Sequence, residues 1–218
     1  MSAVEPRVAG IVLAGGRSSR FGADKLAAPV DGRPMLARAI EALRPACDEL
    51  VVVLPPEGGP ALPAEVVVVR DPEPFGGPLV GLLAGLRAVR APVALVVAGD
   101  MPWLASPVLA RLAEAQGEAV GDAVLLGEAR PEGRPAAGPG VAAEPRAAAF
   151  PLALRTAVAR ERATELVAHG ERRLRTLIAG LDPRVLPAAE WAHLDPGART
   201  TRDVDRPEDL APESRGPG

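Results

Sequence analysis

Three glycines and three cations fall within Leu13-Ala14-Gly15-Gly16-Arg17-Ser18-Ser19-Arg20-Phe21-Gly22-Ala23-Asp24-Lys25, a stretch that directly follows a short apolar run. Gly15 and Gly16 can adopt positive φ and allow backbone N–H groups to approach a phosphate. Arg17 and Arg20 offer planar, bidentate donors, and Lys25 a compact point charge. Two other phosphate-binding patterns do not fit. A Walker loop requires G-x-x-x-x-G-K-[ST], whereas Lys25 lies between Asp24 and Leu26, and the G-x-G-x-x-G spacing of dinucleotide sites does not occur in this turn. The competing explanation is a plain glycine-rich turn with solvated arginines, and the clustering of three cations argues against it.

Carboxylates form the second group. Asp100 ends the apolar run Val93–Ala98 and is followed by Met101-Pro102. At the end of a buried strand and close to a triphosphate, it is a natural Mg²⁺ ligand, because Mg²⁺ prefers hard oxygens and takes few of them from protein. Capping of a turn or of the helix beginning near Pro107 is the structural alternative. In an extended Asp203-Val204-Asp205 segment the two acids point to the same side and can complete a metal site with Asp100. The alternative here is a polar turn into a short C-terminal helix, with Asp205 as its cap and Glu208 and Asp209 in its first turn. A third loop, Asp71 to Leu79, carries Gly76-Gly77-Pro78 and is read either as a contact for a base or second substrate or as a simple connection. Side-chain nucleophiles are scarce. Cys47 lies in a Pro-Ala-Cys-Asp turn with no histidine near it in sequence, and His169 precedes Gly170 as a helix C-terminal residue. Arg172, Arg173 and Arg175 read as a solvated helix face or, alternatively, as a contact for an anionic substrate or partner.

Positioning these residues requires a sheet. Val8–Leu13, Glu49–Leu54, Val66–Val69 and Val93–Ala98 are dense in Val and Leu without polar alternation, the pattern of strands buried on both faces of a parallel sheet. Helical spacing recurs over Met35–Leu43, Val80–Val89 and Pro107–Ala115, the last with Ser106 as N-cap, and again over Leu152–Val167 and Arg172–Leu181. The alternation predicts an α/β fold, a three-layer sandwich around a Rossmann-like, mostly parallel sheet. Ligands of such sheets bind beyond the carboxyl ends of the strands, where the glycine-rich turn and Asp100 both fall. Residues 128–151 read as a loop or excursion, 1–210 as one domain and 211–218 as a disordered tail.

Composition narrows the function further. The 218 residues include 48% hydrophobic side chains, enough for a sizeable core, but only two Trp, three Phe and no Tyr. That leaves no aromatic surface on which bases could stack. The net charge of -3 is not that of a nucleic-acid binder, so phosphates must be met by a local cluster. One cysteine and two histidines exclude an internal disulfide, a cysteine metal cage and a His-rich metal site. Neither a signal peptide nor an apolar stretch long enough to span a bilayer is present, and a cytoplasmic protein without nucleic-acid or membrane partners is expected.

On these residues the chain resembles the nucleotidyltransferases, whose opening motif L-A-G-G-x-S-x-R-x-G-x-x-K is similar to Leu13–Lys25. Four blocks occur in the order of the molybdenum cofactor guanylyltransferase branch: the opening loop, Gly77-Pro78-Leu79, Gly99-Asp100-Met101-Pro102 and Asp203–Leu210. Gly170–Leu177 is similar to that branch as well, and the likeness extends over about residues 7–210. The resemblance implies a nucleotidyltransferase fold and transfer of GMP from GTP to the molybdopterin form of the cofactor, with release of pyrophosphate. It implies triphosphate contacts from Leu13, Ala14, Gly15, Gly16 and Lys25, charge neutralisation by Lys25 and Arg20, and a nucleotide contact at Asp71. Mg²⁺ would be held by Asp100 and Asp205, with Asp203 behind, and substrate by Gly77, Pro78 and Leu79. Transient contact with cofactor-insertion proteins or molybdoenzymes is implied too. Three alternatives stay open: cytidylyl transfer to the same cofactor, guanylyl transfer to another small phosphate such as phospholactate, and a non-catalytic nucleotide-binding partner in molybdoenzyme assembly.

Overall fold

The computed structural model describes residues 7–15, 25–73, 76–127 and 147–210. Its strands are β1 (Val8–Leu13), β2 (Pro29–Val30), β3 (Arg33–Pro34), β4 (Glu49–Leu54), β5 (Val67–Arg70), β6 (Val93–Ala98), β7 (Ala123–Gly127), β8 (Ala147–Arg155) and β9 (Pro183–Leu186). Its α-helices are α1 (Met35–Leu43), α2 (Pro78–Ala88), α3 (Ser106–Glu118), α4 (Thr156–Ala168) and α5 (Leu174–Ala179). Seven strands form one sheet in the order β5-β4-β1-β6-β8-β7-β9, while β2 and β3 form a separate hairpin. β5, β4, β1 and β6 run parallel, β8 is antiparallel to β6 and β7, and β9 is parallel to β7.

The unalternating Val/Leu runs follow from this placement. Successive residues of β1 enter opposite faces, Ile11 packing with Leu79, Leu82 and Leu86 of α2, and Val12 packing with Leu36 and Ile40 of α1. Each face is therefore covered: α1 and α3 on one side, α2, α4 and α5 on the other. Both sides of a central strand are dry, so neither can be polar.

The parallel half agrees with the sequence reading to within about three residues, but the third strand, expected to be buried on both faces, is the edge strand β5, with Val67 and Val68 about half exposed because no strand covers its outer side. The second half differs. Leu152–Arg155, expected to be helical, completes β8, and helix begins only at Thr156. Leu152, Ala153 and Leu154 are fully buried between β6 and β7, and a short apolar run of that kind has no period to separate strand from helix. The expected excursion is corrected at its end, since residues 147–151 already belong to β8; residues 128–146 lie outside the described residues. The helix expected over 172–181 is confined to α5. Ser106 is not an N-cap: Ala105 occupies that position without a side-chain hydrogen bond, and Ser106 and Pro107 are the first helical residues. The tail at 211–218 lies outside the described residues.

Candidate functional site

The register of the parallel strands brings the candidate residues to one edge. Leu13 of β1 pairs with Val53 of β4 and Ala98 of β6, so all three strands end together. The edge is stitched by Ala14 N–H donating to the Val53 carbonyl (2.9 Å), Gly99 N–H to the Leu13 carbonyl (2.9 Å) and Asp71 N–H to the Leu54 carbonyl (2.9 Å). Leu13, Ala14, Gly15, Asp71 and Asp100 thus emerge on the carboxyl edge that a parallel sheet offers to ligands. Gly15 does not adopt positive φ, contrary to one expected use of it. It provides space instead: a Cβ there would have a single near neighbour among the described residues, Asp71 Oδ2 at 3.7 Å. The other Asp71 oxygen, Oδ1, accepts the Glu73 N–H at 3.1 Å. Gly16, Arg17 and Arg20 lie outside the described residues.

Lys25 and three carboxylates form the charged centre. The Lys25 side chain is only 12% exposed, and its Nζ donates to Asp100 Oδ2 at 2.8 Å and lies 3.5 Å from Asp205 Oδ1. One oxygen each of Asp100, Asp203 and Asp205 fall within 4.8 Å of one another. Desolvation pushes the Asp203 carboxyl above its ordinary value, and the charges of Asp100 and Asp205 push the same way; its own backbone N–H and Lys25 oppose them. Three hard oxygen donors this close suit a small divalent cation, whose charge relieves the crowding of like charge.

Val204, which the sequence reading passed over, makes this convergence possible. It is fully buried with Val30 and Met35, with Ala28, Trp103 and Leu210 against it, and its N–H donates to the Asp100 carbonyl at 3.0 Å. With Val204 anchored inward, its two neighbours face outward toward Asp100, as strand alternation requires. The sequence signal was available in one apolar residue between two acids. Asp205 does not cap the terminal turn: Asp209 does, its Oδ2 accepting the Asp205 and Arg206 N–H groups at 2.8 Å each, and these bonds hold its carboxyl below its ordinary value.

The Gly77–Leu79 block forms the start of α2, and it is braced from behind. Gly77 takes φ +91, and a Cβ there would stand 2.8 Å from the Arg172 carbonyl, so only glycine fits. That carbonyl accepts the Leu79 N–H at 3.2 Å, and the Arg172 guanidinium reaches Glu73 Oε2 at 3.2 Å. The Leu79 side chain is fully buried in the core, so neither it nor its N–H is available to a substrate. The expectation of a contact there is thereby restricted to Gly77 and Pro78. Glu171, also not foreseen, holds the bracing turn through Arg173 Nε and Nη2, Thr176 Oγ1 and the N–H groups of Arg172 and Arg173. The side-chain bonds from Arg173 and Thr176, ahead of the backbone bonds, hold its carboxyl far below the usual range.

The groups expected to be inert are so. Burial, with Asp48 adding to it, pushes the Cys47 thiol up to about 12, far from a thiolate at neutral pH. His169 caps α4, with its Nδ1 at 2.8 Å from the Glu165 carbonyl. Among the described residues no helix is long and apolar enough to cross a membrane.

Residues 10–200 match the family model described as the MobA-like NTP transferase domain. A probable molybdenum cofactor guanylyltransferase of Chloroflexus aggregans is 37% identical over 215 residues, covering 95% of this chain and 93% of that protein. The molybdopterin-guanine dinucleotide biosynthesis protein A of Archaeoglobus fulgidus superposes with a TM-score of 0.69 at 20% identity, over 93% of this chain and 94% of that one. The 2-C-methyl-D-erythritol 4-phosphate cytidylyltransferase of Thermus thermophilus does so with a TM-score of 0.65 at 21% identity, over 92% and 94%. At such identities the two structures show the shared nucleotidyltransferase fold alone.

Proposed function

The chain belongs to the MobA-like NTP transferase family, and on that premise we propose that it transfers GMP from GTP to the molybdopterin form of the molybdenum cofactor, releasing pyrophosphate. The observation that carries this reading is the likeness to a probable guanylyltransferase along nearly the whole of both chains. Residues 1–210 act as one domain, in the cytoplasm, and the product passes to cofactor-insertion proteins or molybdoenzymes through transient contacts.

The chemistry asks little of the side chains as acids or bases. The acceptor phosphate is already an oxyanion; its oxygen bonds to the α-phosphorus of GTP while the bond from that phosphorus to the pyrophosphate oxygen breaks. No proton has to be removed from the nucleophile, which accounts for a site without a working His or Cys. What the reaction needs is that two anions be brought together and their charge balanced. In this reading the Leu13–Gly16 backbone and Lys25 receive the triphosphate, with Arg20 as a second cation. Asp71 contacts the nucleotide, while Gly77 and Pro78 present backbone to substrate. Asp100, Asp205 and Asp203 would hold Mg²⁺, a cation that the all-oxygen donor set fits. When bound, that ion supplies charge neutralisation and orientation of the phosphates.

Pyrophosphate release from purified protein, measured with each NTP and the molybdenum cofactor as acceptor, tests the proposal. Turnover with GTP is the expected result. Turnover with CTP alone would assign the enzyme to cytidylyl transfer, and no turnover with any NTP would leave a nucleotide-binding assembly partner.

A further inference from the structure

Lys25 belongs in the proposed reading to the triphosphate, yet the structure places its ammonium elsewhere. It is bonded to Asp100 at 2.8 Å and lies 3.5 Å from Asp205, paired with two of the three carboxylates assigned above to the metal. Its side chain is the least exposed of the three, at 12% against 26% for Asp100 and 64% for Asp205. This is not a solvated surface pair that forms and breaks without consequence.

Resting on that functional reading, we propose that Lys25 acts as a tethered stand-in for the divalent cation, holding Asp100 and Asp205 together in the free protein and leaving them when the triphosphate arrives. Electrostatics sets the direction. Without a counter-charge, three carboxylates within 4.8 Å repel one another, and the ammonium relieves that repulsion. A divalent ion entering alone would have to share the Asp100 and Asp205 carboxylates with which Lys25 is already paired, and would leave a largely buried ammonium beside a doubly charged ion. A triphosphate removes the conflict. It offers Lys25 new anionic partners at the adjoining Leu13–Gly15 edge, within the sweep of a flexible four-carbon stem, and brings oxygen ligands of its own for the ion. Metal and nucleotide thus bind cooperatively, and the coupling passes through one side chain. Neutralisation is present throughout, first from the lysine and then from the ion, so the carboxylates keep their arrangement.

The test uses the full chain and Mn²⁺ as the probe, followed by water-proton relaxation without nucleotide, in wild type and in Lys25→Met. Methionine keeps the apolar stem and removes the charge. Carrying out the titration at high salt damps repulsion acting through solvent, while the direct pairing of Lys25 with the Asp100 carboxylate persists. The expected result is weak Mn²⁺ binding by wild type and binding at least about tenfold tighter by the variant, abolished again by adding Asp100→Asn. Binding by Lys25→Met no tighter than by wild type would overturn the exchange while leaving the site and the functional reading in place. Failure of either protein to bind Mn²⁺ even with GTP present would overturn the metal assignment itself, and the exchange with it. Circular dichroism of each variant confirms that the comparison is made between folded proteins.

Discussion

Asp100 and the Asp203–Asp205 pair contribute to the same cluster but are held there in opposite ways. Asp100 follows a strand buried between two neighbours, and its place is set by the sheet: Gly99 is bonded to Leu13, and Val93–Ala98 pairs with β1 along its full length. Asp203 and Asp205 lie some hundred residues later in an irregular segment held by Val204, which is buried against Val30 and Met35, by a backbone bond to Asp100, and by the buried Thr200, whose hydroxyl accepts the Ala105 N–H. One half of the site is therefore formed as soon as the parallel sheet forms. The other is docked onto it and is only as well placed as its apolar anchor allows. A fold can fix one ligand group through its sheet and leave the rest to a segment that docks through its own small apolar cluster.

The contrast predicts effects of different kinds. Asp100→Asn should be the most damaging to the reaction, lowering metal-dependent turnover by about 10²-fold or more while thermal unfolding stays near that of wild type. Activity within a few fold of wild type would remove Asp100 from the mechanism. Asp205→Asn should lower turnover by about tenfold and Asp203→Asn by less, in steady-state assays at saturating GTP, because these ligands are exposed and docked. A reversed order, with Asp205 above Asp100, would break the comparison. Val204→Ala touches no substrate, yet should cost about 1–3 kcal/mol in denaturant unfolding through lost burial and the cavity left behind. It should also raise the metal concentration needed for half-maximal activity; if only stability fell, Val204 would be core and nothing more.

The smallest effect concerns the brace behind Gly77. Because the Glu171 carboxyl sits below its unfolded value, its bonds contribute stability that is present above the unfolded value, about 4.3, and is lost as pH falls below it toward the folded one. Glu171→Gln should therefore be less stable than wild type at neutral pH, and the gap should narrow as pH drops below about 4. A gap unchanged across that range in unfolding titrations would show that the charge of Glu171 contributes nothing to the brace.

The same division between sheet and docked segments decided what the sequence disclosed. β1, β4 and β6 were legible because strands buried on both faces must be continuously apolar, and Asp100 was legible because it breaks such a run at its end. Asp203 and Asp205 could be paired by alternation alone, but not the device that orients them, since Val204 is one ordinary residue until Met35 and Trp103 are seen around it. β8 was misread in part because Leu152–Leu154 is too short for a period to show, and its neighbours β6 and β7 are far away in sequence. The run Arg172, Arg173 and Arg175 reads as solvated helix surface because charge runs usually are, Glu171 carries no signal of its own, and only the tertiary contact of Arg172 with Gly77 and Glu73 gives the brace a task. Lys25 could be grouped with the other cations of the opening loop from spacing alone, but its pairing with Asp100 is a relation between two loops that spacing cannot carry.

A crystal structure with a non-hydrolysable GTP analogue and Mg²⁺ tests the whole account most directly. It predicts the analogue's phosphates along Leu13–Gly15, an ion among Asp100, Asp203 and Asp205, and the Lys25 ammonium turned to the phosphates. A nucleotide bound away from this edge, with Lys25 still on Asp100 and no ion among the carboxylates, would contradict it.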